Sequence, residues 1–328
     1  MRIYNPQFLH GWCAVAIILC IDYSIITSVG LQLPSLLLAF SGCYMMAILL
    51  FVDYFIRSEG IIGHLGYNEA RYKECVVVFL HFIEWVSLCI AGGFSLAELS
   101  YIICTLGNVL IDDSLLTLDR LLGFNSIVYI AMMNHQPAKS ILIIAYNSLN
   151  IQVICFGIWF CVAKNTIRLH QQFWILFVSA SLCIIISGFA PALGPVPTLG
   201  IQSMIVPPQP DFIKAYSDVI ALRSVAKHQY VVKALEGIIV FPSFHAVSAI
   251  SSIYGFRGTK AFPVVILLNV IMIFSTPFCG QHYLVDILAG TVVACISIAF
   301  VWGLGATRPK VLAGWPGCPE NEPFPDKN

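Results

Sequence analysis

Charge is the first thing this chain lacks. Only 10% of its 328 residues are charged, and 17 Lys+Arg balance 17 Asp+Glu to a formal net charge of +0. A soluble domain carries roughly 25%. Without a basic surplus there is no electrostatic footprint for nucleic acid, which is excluded as a partner. The 12 cysteines include no CxxC pair and are scattered through apolar runs, so they read as small hydrophobes, not as a disulfide or zinc framework. HExxH and GxSxG are absent, which removes the common zinc-protease and serine-hydrolase signatures. No internal repeat is visible, which argues against the usual repeat-built transporters. No small-x-small cleavage site follows the first apolar run, so that run is expected to be retained as a span.

What is present is hydrophobic length. The chain is 59% hydrophobic, with a mean hydropathy of +0.86. Runs of about 20 apolar residues match a hydrocarbon core of about 30 Å. The expected fold class is all-α, a polytopic membrane helical bundle of eight spans at 11–31, 34–56, 74–95, 139–163, 171–191, 243–256, 262–279 and 282–304. The stretches 96–138 and 192–242 are mixed, and interfacial or re-entrant helices are expected there. Residues 1–95 are expected to form an N-terminal membrane unit, 96–304 a second membrane domain, and 305–328 a polar, Pro-rich tail expected to be disordered.

Arg2, Arg57, Arg71, Lys73, Lys164, Arg168, Arg257, Lys260, Arg308 and Lys310 fall on one side of an eight-span chain. The positive-inside rule then places both termini in the cytoplasm and the heads of the spans at 243 and 282 on the outer side.

Those heads carry the chemistry. "FPSFHAVSAI" (241–250) and "GQHYLVDILAG" (280–290) bring two histidines and a carboxylate to the mouths of two apolar segments. His282 and Asp286, at i and i+4 on a helix, share a face, and the carboxylate can fix the ring's tautomer. Pro242 suits a helix start and Ser243 a helix cap, whose free N–H groups favour an anion such as phosphate. Two histidines allow one to attack phosphorus while the other protonates the leaving oxygen. A metal site of His282, Asp286, Cys279 and His245 has no matching ligand signature. Each histidine alone also reads as an interfacial polar residue.

These residues carry a resemblance. "FPSFH" and "STPFCGQHYLVD" (275–286) resemble the second and third motifs, PSGH and SRxxxGxHxxxD, of the type 2 phosphatidic acid phosphatase superfamily. The matching positions are Pro242, Ser243 and His245, then Ser275, Gly280, His282 and Asp286. The form looks like the branch holding inositol phosphorylceramide synthases and bacterial membrane phosphatases, as do "DRLLGF" (119–124) and "YNSLNIQ" (146–152). The resemblance implies a six-helix core and a phosphohistidine on His282. It makes Asp286 the orienting residue and His245 the general acid and then base. Ser243 and Gly280 would hold phosphate oxygens, with no cofactor and no metal. The implied substrate is a phospholipid or isoprenoid phosphate drawn from the membrane lipid, with a bacterial inner membrane as the setting and the site on its periplasmic side. Hydrolysis and transfer of a phospho-headgroup to an alcohol make the same demands on these residues. A transporter or an inactive relative is the competing class.

The chain also departs from the family pattern. The first motif, KxxxxxxRP, is absent, Thr276 stands where Arg is expected, and Phe244 replaces Gly. Arg223 is the leading substitute cation, with Lys214, Lys227 and Lys233 behind it. Each of those lysines equally reads as a loop residue meeting lipid headgroups. Tyr146, Asn147 and the helix-breaking "SGFAPALGPV" (187–196) either shape the site or only support the fold.

Overall fold

Apolar sequence with few interior helix breakers gives helices, and the computed structural model, which describes residues 6–29, 69–204, 210–224, 237–279 and 281–306, is built of helices joined by short connections, with no strand among those residues. In chain order the helices are α1 (Pro6–Val29), α2 (Glu69–Cys104), α3 (Asp112–Leu121), α4 (Ser126–Met133), α5 (Ala138–Asn147), α6 (Leu149–Val162), α7 (Thr166–Phe189), α8 (Pro195–Leu199), α9 (Pro210–Arg223), α10 (Phe244–Gly255), α11 (Phe262–Cys279) and α12 (Leu284–Ala306). Five are long and apolar enough to cross a membrane, and two bent pairs raise that to seven. The expected span at 34–56 and the tail from 307 onward lie outside the described residues.

Three expectations change. The span at 74–95 belongs to a 36-residue helix that runs on to Cys104, because Ser95, Glu98 and Ser100 turn inward and are buried. The span at 139–163 is two helices, α5 and α6, bent by 51°. At the bend, Ser148 turns its hydroxyl back on the Ala145 carbonyl at 2.6 Å, a contact that competes with the helical ladder and bends it. The span at 243–256 is a 12-residue helix. At 1.5 Å per residue it is about 18 Å long, too short for a bilayer core, and it packs against α7, α11 and α12 inside the bundle. Within 96–138, where interfacial or re-entrant helices were expected, α3 and α4 form a pair bent by 77°, the geometry of a broken span or a re-entrant loop.

One large apolar cluster joins α1, α2, α6 and α7 through Trp85, Leu88, Phe156, Phe160, Phe173 and Phe177. Trp85 satisfies its ring N–H on the Leu169 carbonyl at 3.0 Å. A second set of contacts fixes the short α10. At its C-terminus, Arg168 donates to the carbonyls of Gly255 (2.8 Å) and Arg257 (2.7 Å), so a cation closes the negative end of the helix. Near its N-terminus, Gly290 of α12 lies directly under the Ser243 carbonyl, and a Cβ there would collide with that backbone oxygen. Gly290→Ala is therefore expected to push α10 and α12 apart, lowering the melting temperature in detergent by several degrees and activity by about 10-fold or more.

Candidate active site

The N-terminal ends of α10 and α12, the C-terminal ends of α7 and α11, and α3 meet at the end of the bundle remote from Arg168 and Arg257. Pro242 precedes the cap instead of opening the helix. Ser243, fully buried, is the N-cap, and its hydroxyl accepts from the Ala246 N–H at 3.4 Å. Its own N–H donates to the Asp286 carbonyl at 3.0 Å, so the two sequence motifs are bonded through backbone. The first-turn N–H groups of Phe244 and His245 have no intrahelical carbonyl to reach.

His282 does not lie on the helix. It stands in the segment before α12, and Asp286 is in the first turn. The pair still meets, because Asp286 Oδ2 takes both His282 Nδ1 at 3.3 Å and the Tyr283 N–H at 2.8 Å, folding residues 282–283 over the helix start. Both side chains are buried. His282 Nδ1–H donating to a carboxylate leaves the lone pair on Nε2. His245 is close enough for the two rings to interact electrostatically, and the Tyr146 ring lies stacked on it, centroids 3.9 Å apart and 17° from parallel.

Two further carboxylates, Asp112 and the Asp119 that opens "DRLLGF", hold this arrangement. Asp112, Leu115 and Asp119 form the buried face of α3. Asp119 accepts from the Leu284 and Val285 N–H groups, each at 3.0 Å, which caps α12 from another helix. Asp112 accepts from the Leu193 and Gly194 N–H groups, the Thr198 hydroxyl and the Tyr283 hydroxyl. Through it, the break at 187–196 is bound to the residue after His282. Gly194 has φ +96° and approaches the Gln281 carbonyl so closely that a Cβ would sit 2.6 Å from it, so only glycine fits. The available signal was the spacing: two carboxylates seven apart on one helical face, in a chain with little charge to spend, belong indoors with partners.

The remaining sequence candidates are placed as follows. Ser275 and Thr276 are fully buried and bond helix carbonyls at Met272 and Ile273, so Thr276 does not replace the missing Arg as a donor. Arg223, at the end of α9, donates to the Asn108 carbonyl and lines a cavity with Cys104, Gly188, Pro191 and Ile238. That cavity sits beside the loop that Asp112 binds, not among His245, His282 and Asp286. Gly280, Lys227, Lys233 and the side chain of Lys214 lie outside the described residues. Among the described residues no three His, Cys, Asp or Glu side chains are grouped to hold a metal ion.

No curated protein and no solved structure matches this chain. Residues 113–300 match the family model of the PAP2 superfamily. The match begins at α3, takes in both motif segments and ends within α12, and it spans more than half of the chain. The chain is an integral membrane protein belonging to the type 2 phosphatidic acid phosphatase superfamily, with the phosphatase-type activity on phosphoesters that this membership suggests.

Proposed function

We propose that the protein cleaves a lipid phosphomonoester or diphosphate through a phosphohistidine on His282. The observation that carries this reading is the convergence of His282, its Asp286 partner, His245 and the Ser243 cap at one end of the bundle. His282 Nε2 attacks phosphorus as the P–O bond to the lipid breaks. Protonated His245 gives its proton to the departing oxygen. Water then attacks phosphorus as the P–N bond breaks, His245 takes the water's proton, and phosphate leaves with His282 restored.

Phosphate placement follows from which N–H groups are taken. At the head of α12, Tyr283, Leu284 and Val285 already donate to Asp286 and Asp119. At the head of α10 the N–H groups of Phe244 and His245 have no intrahelical acceptor, and the positive helix end there favours an anion. Lipid access suits a site at helix mouths in a bundle with an apolar exterior. The basic residues Arg168 and Arg257 gather at the opposite end, which by the positive-inside rule makes the site end the outer, periplasmic one. Residues 96–304 act as the catalytic unit in this reading, and Arg223, at the end of α9 and bonded to the Asn108 carbonyl, stands beside the histidine site, not in it.

The experiment is phosphate release by the full-length protein in detergent from phosphatidate, polyprenyl diphosphate and a sphingolipid phosphate, with EDTA present. A parallel arm offers phospholipid donors and alcohol acceptors. Release to water that survives EDTA supports the phosphatase. Headgroup transfer with no phosphate release replaces it with the synthase-type phosphotransferase. Neither product from any donor would sink both.

A further inference from the structure

We propose that Tyr146 is a positioning residue for His245. Its ring holds the imidazole in plane for proton transfer and favours the protonated form of that ring. The proposal rests on the reading of His245 as proton donor given above.

The stack is close and nearly parallel, 3.9 Å between centroids and 17° between planes. Aromatic pairs of neutral rings more often sit offset or edge-on. A face laid over an imidazole is most favourable when the imidazole is a cation, because the face of a phenol ring is the negative pole of its quadrupole. His245 is in the first turn of α10, where the positive helix end disfavours an imidazolium. Among the described residues, the titratable groups gathered at this end of the bundle include His282, Tyr283 and Asp286 at the head of α12, Cys279 at the end of α11, and Asp112 and Asp119 on α3. Asp286 gives Oδ2 to His282 and the Tyr283 N–H, and Asp119 gives both oxygens to the backbone of α12. Asp112 is bonded to the loop at 193–194 and to Tyr283. Among the described residues, the Tyr146 ring is the one stacked on His245, and its face favours the imidazole's charge before substrate arrives.

Tyr146 is itself held firmly. It is the penultimate residue of α5, and it packs with Phe278 and Cys279. The bend that follows is pinned, since Gln152 donates to the Ser148 hydroxyl at 2.9 Å and accepts from Asn269 of α11 at 2.7 Å. A broken span, where the sequence suggested a continuous one, is what brings the end of α5 against the head of α10.

The test compares Tyr146→Phe, Tyr146→Leu and Tyr146→pentafluorophenylalanine in the full-length protein. The last keeps the ring's shape and reverses its quadrupole, so it stands even if Tyr146→Leu does not fold. Pre-steady-state bursts are read with an alkyl phosphate, whose leaving oxygen needs a proton, and with nitrophenyl phosphate, whose leaving oxygen does not. Tyr146→Phe is expected within about 2-fold of wild type. The leucine and pentafluoro variants should lose about 10- to 50-fold in burst rate on the alkyl phosphate, with little change in KM and little loss on nitrophenyl phosphate. The descending high-pH limb of the alkyl-phosphate profile should move to lower pH by up to ~1 unit, because a donor less stabilised as a cation gives up its proton earlier. A pentafluoro variant that matches Tyr146→Phe overturns the proposal, as does a phenylalanine variant as impaired as leucine. Should His245→Ala keep full activity on the alkyl phosphate, it is the assignment of His245 that falls, a result distinct from any Tyr146 outcome.

Discussion

Replacing His282 with alanine should remove phosphate release from every substrate, by at least ~10³-fold, and leave the fold in place. The argument is one of roles. If His282 forms the bond to phosphorus, no leaving group, however good, rescues its loss. The fold survives because Asp286 keeps the Tyr283 N–H and α12 keeps its Asp119 cap, so the melting temperature should shift by only a few degrees. His245→Ala should behave differently. It removes a proton donor, so the burst on an alkyl phosphate should fall by roughly 10²–10⁴-fold while the burst on nitrophenyl phosphate stays within about 10-fold. Equal losses on both substrates in His245→Ala would mean that His245 binds phosphate instead of donating a proton. Full activity in His282→Ala would end the assignment of the nucleophile.

Asp119→Asn should cost nearly as much, although Asp119 touches no reacting atom. A carboxylate presents one oxygen to the Leu284 N–H and the other to the Val285 N–H, each at 3.0 Å. An amide presents one oxygen and turns its NH₂ toward the second N–H, leaving two donors facing each other inside the protein. A buried donor without an acceptor costs about 1–3 kcal/mol, and the lost charge-assisted bond adds to this. The segment that shifts in response carries His282 on one side and Asp286 on the other. We expect a fall in kcat of about 10²-fold with a melting temperature lower by several degrees. Asp113→Asn is the control: Asp113 is exposed beside buried Asp112 on the same helix, and its substitution should change neither quantity. A fully active, fully stable Asp119→Asn would show that α3 does not hold the head of α12.

The sequence and the structure agree best where the information is local. Phe262–Cys279 begins and ends where hydropathy alone placed it, and the motif residues Ser243, His245, His282 and Asp286 do assemble at one end of the bundle. What escaped was long-range. Asp119 bonds N–H groups 165 residues away, and Asp112 bonds Tyr283 across 171, so their shared helical face could mark them as buried but could not name their partners. For the same reason His282 was expected on the helix. The i, i+4 spacing is right, but Asp119 and Asp286 together take the N–H groups of residues 283–285 and so begin α12 after the histidine. The bend at Ser148 was hidden because each half is apolar enough to read as one span. It emerges only from where Ser148, Gln152 and Asn269 find partners.

The central claim is a covalent bond between phosphorus and His282. It is tested by incubating the full-length protein with a ³²P-labelled lipid phosphate for milliseconds, quenching, and measuring label retained on the denatured chain. The account expects label that survives base, is lost in acid, maps to the peptide containing His282 and is absent from His282→Ala. It also expects label to persist longer in His245→Ala given nitrophenyl [³²P]phosphate, because water then lacks its base. Label on another residue, or turnover in the wild type with no labelled protein at any quench time, would contradict it.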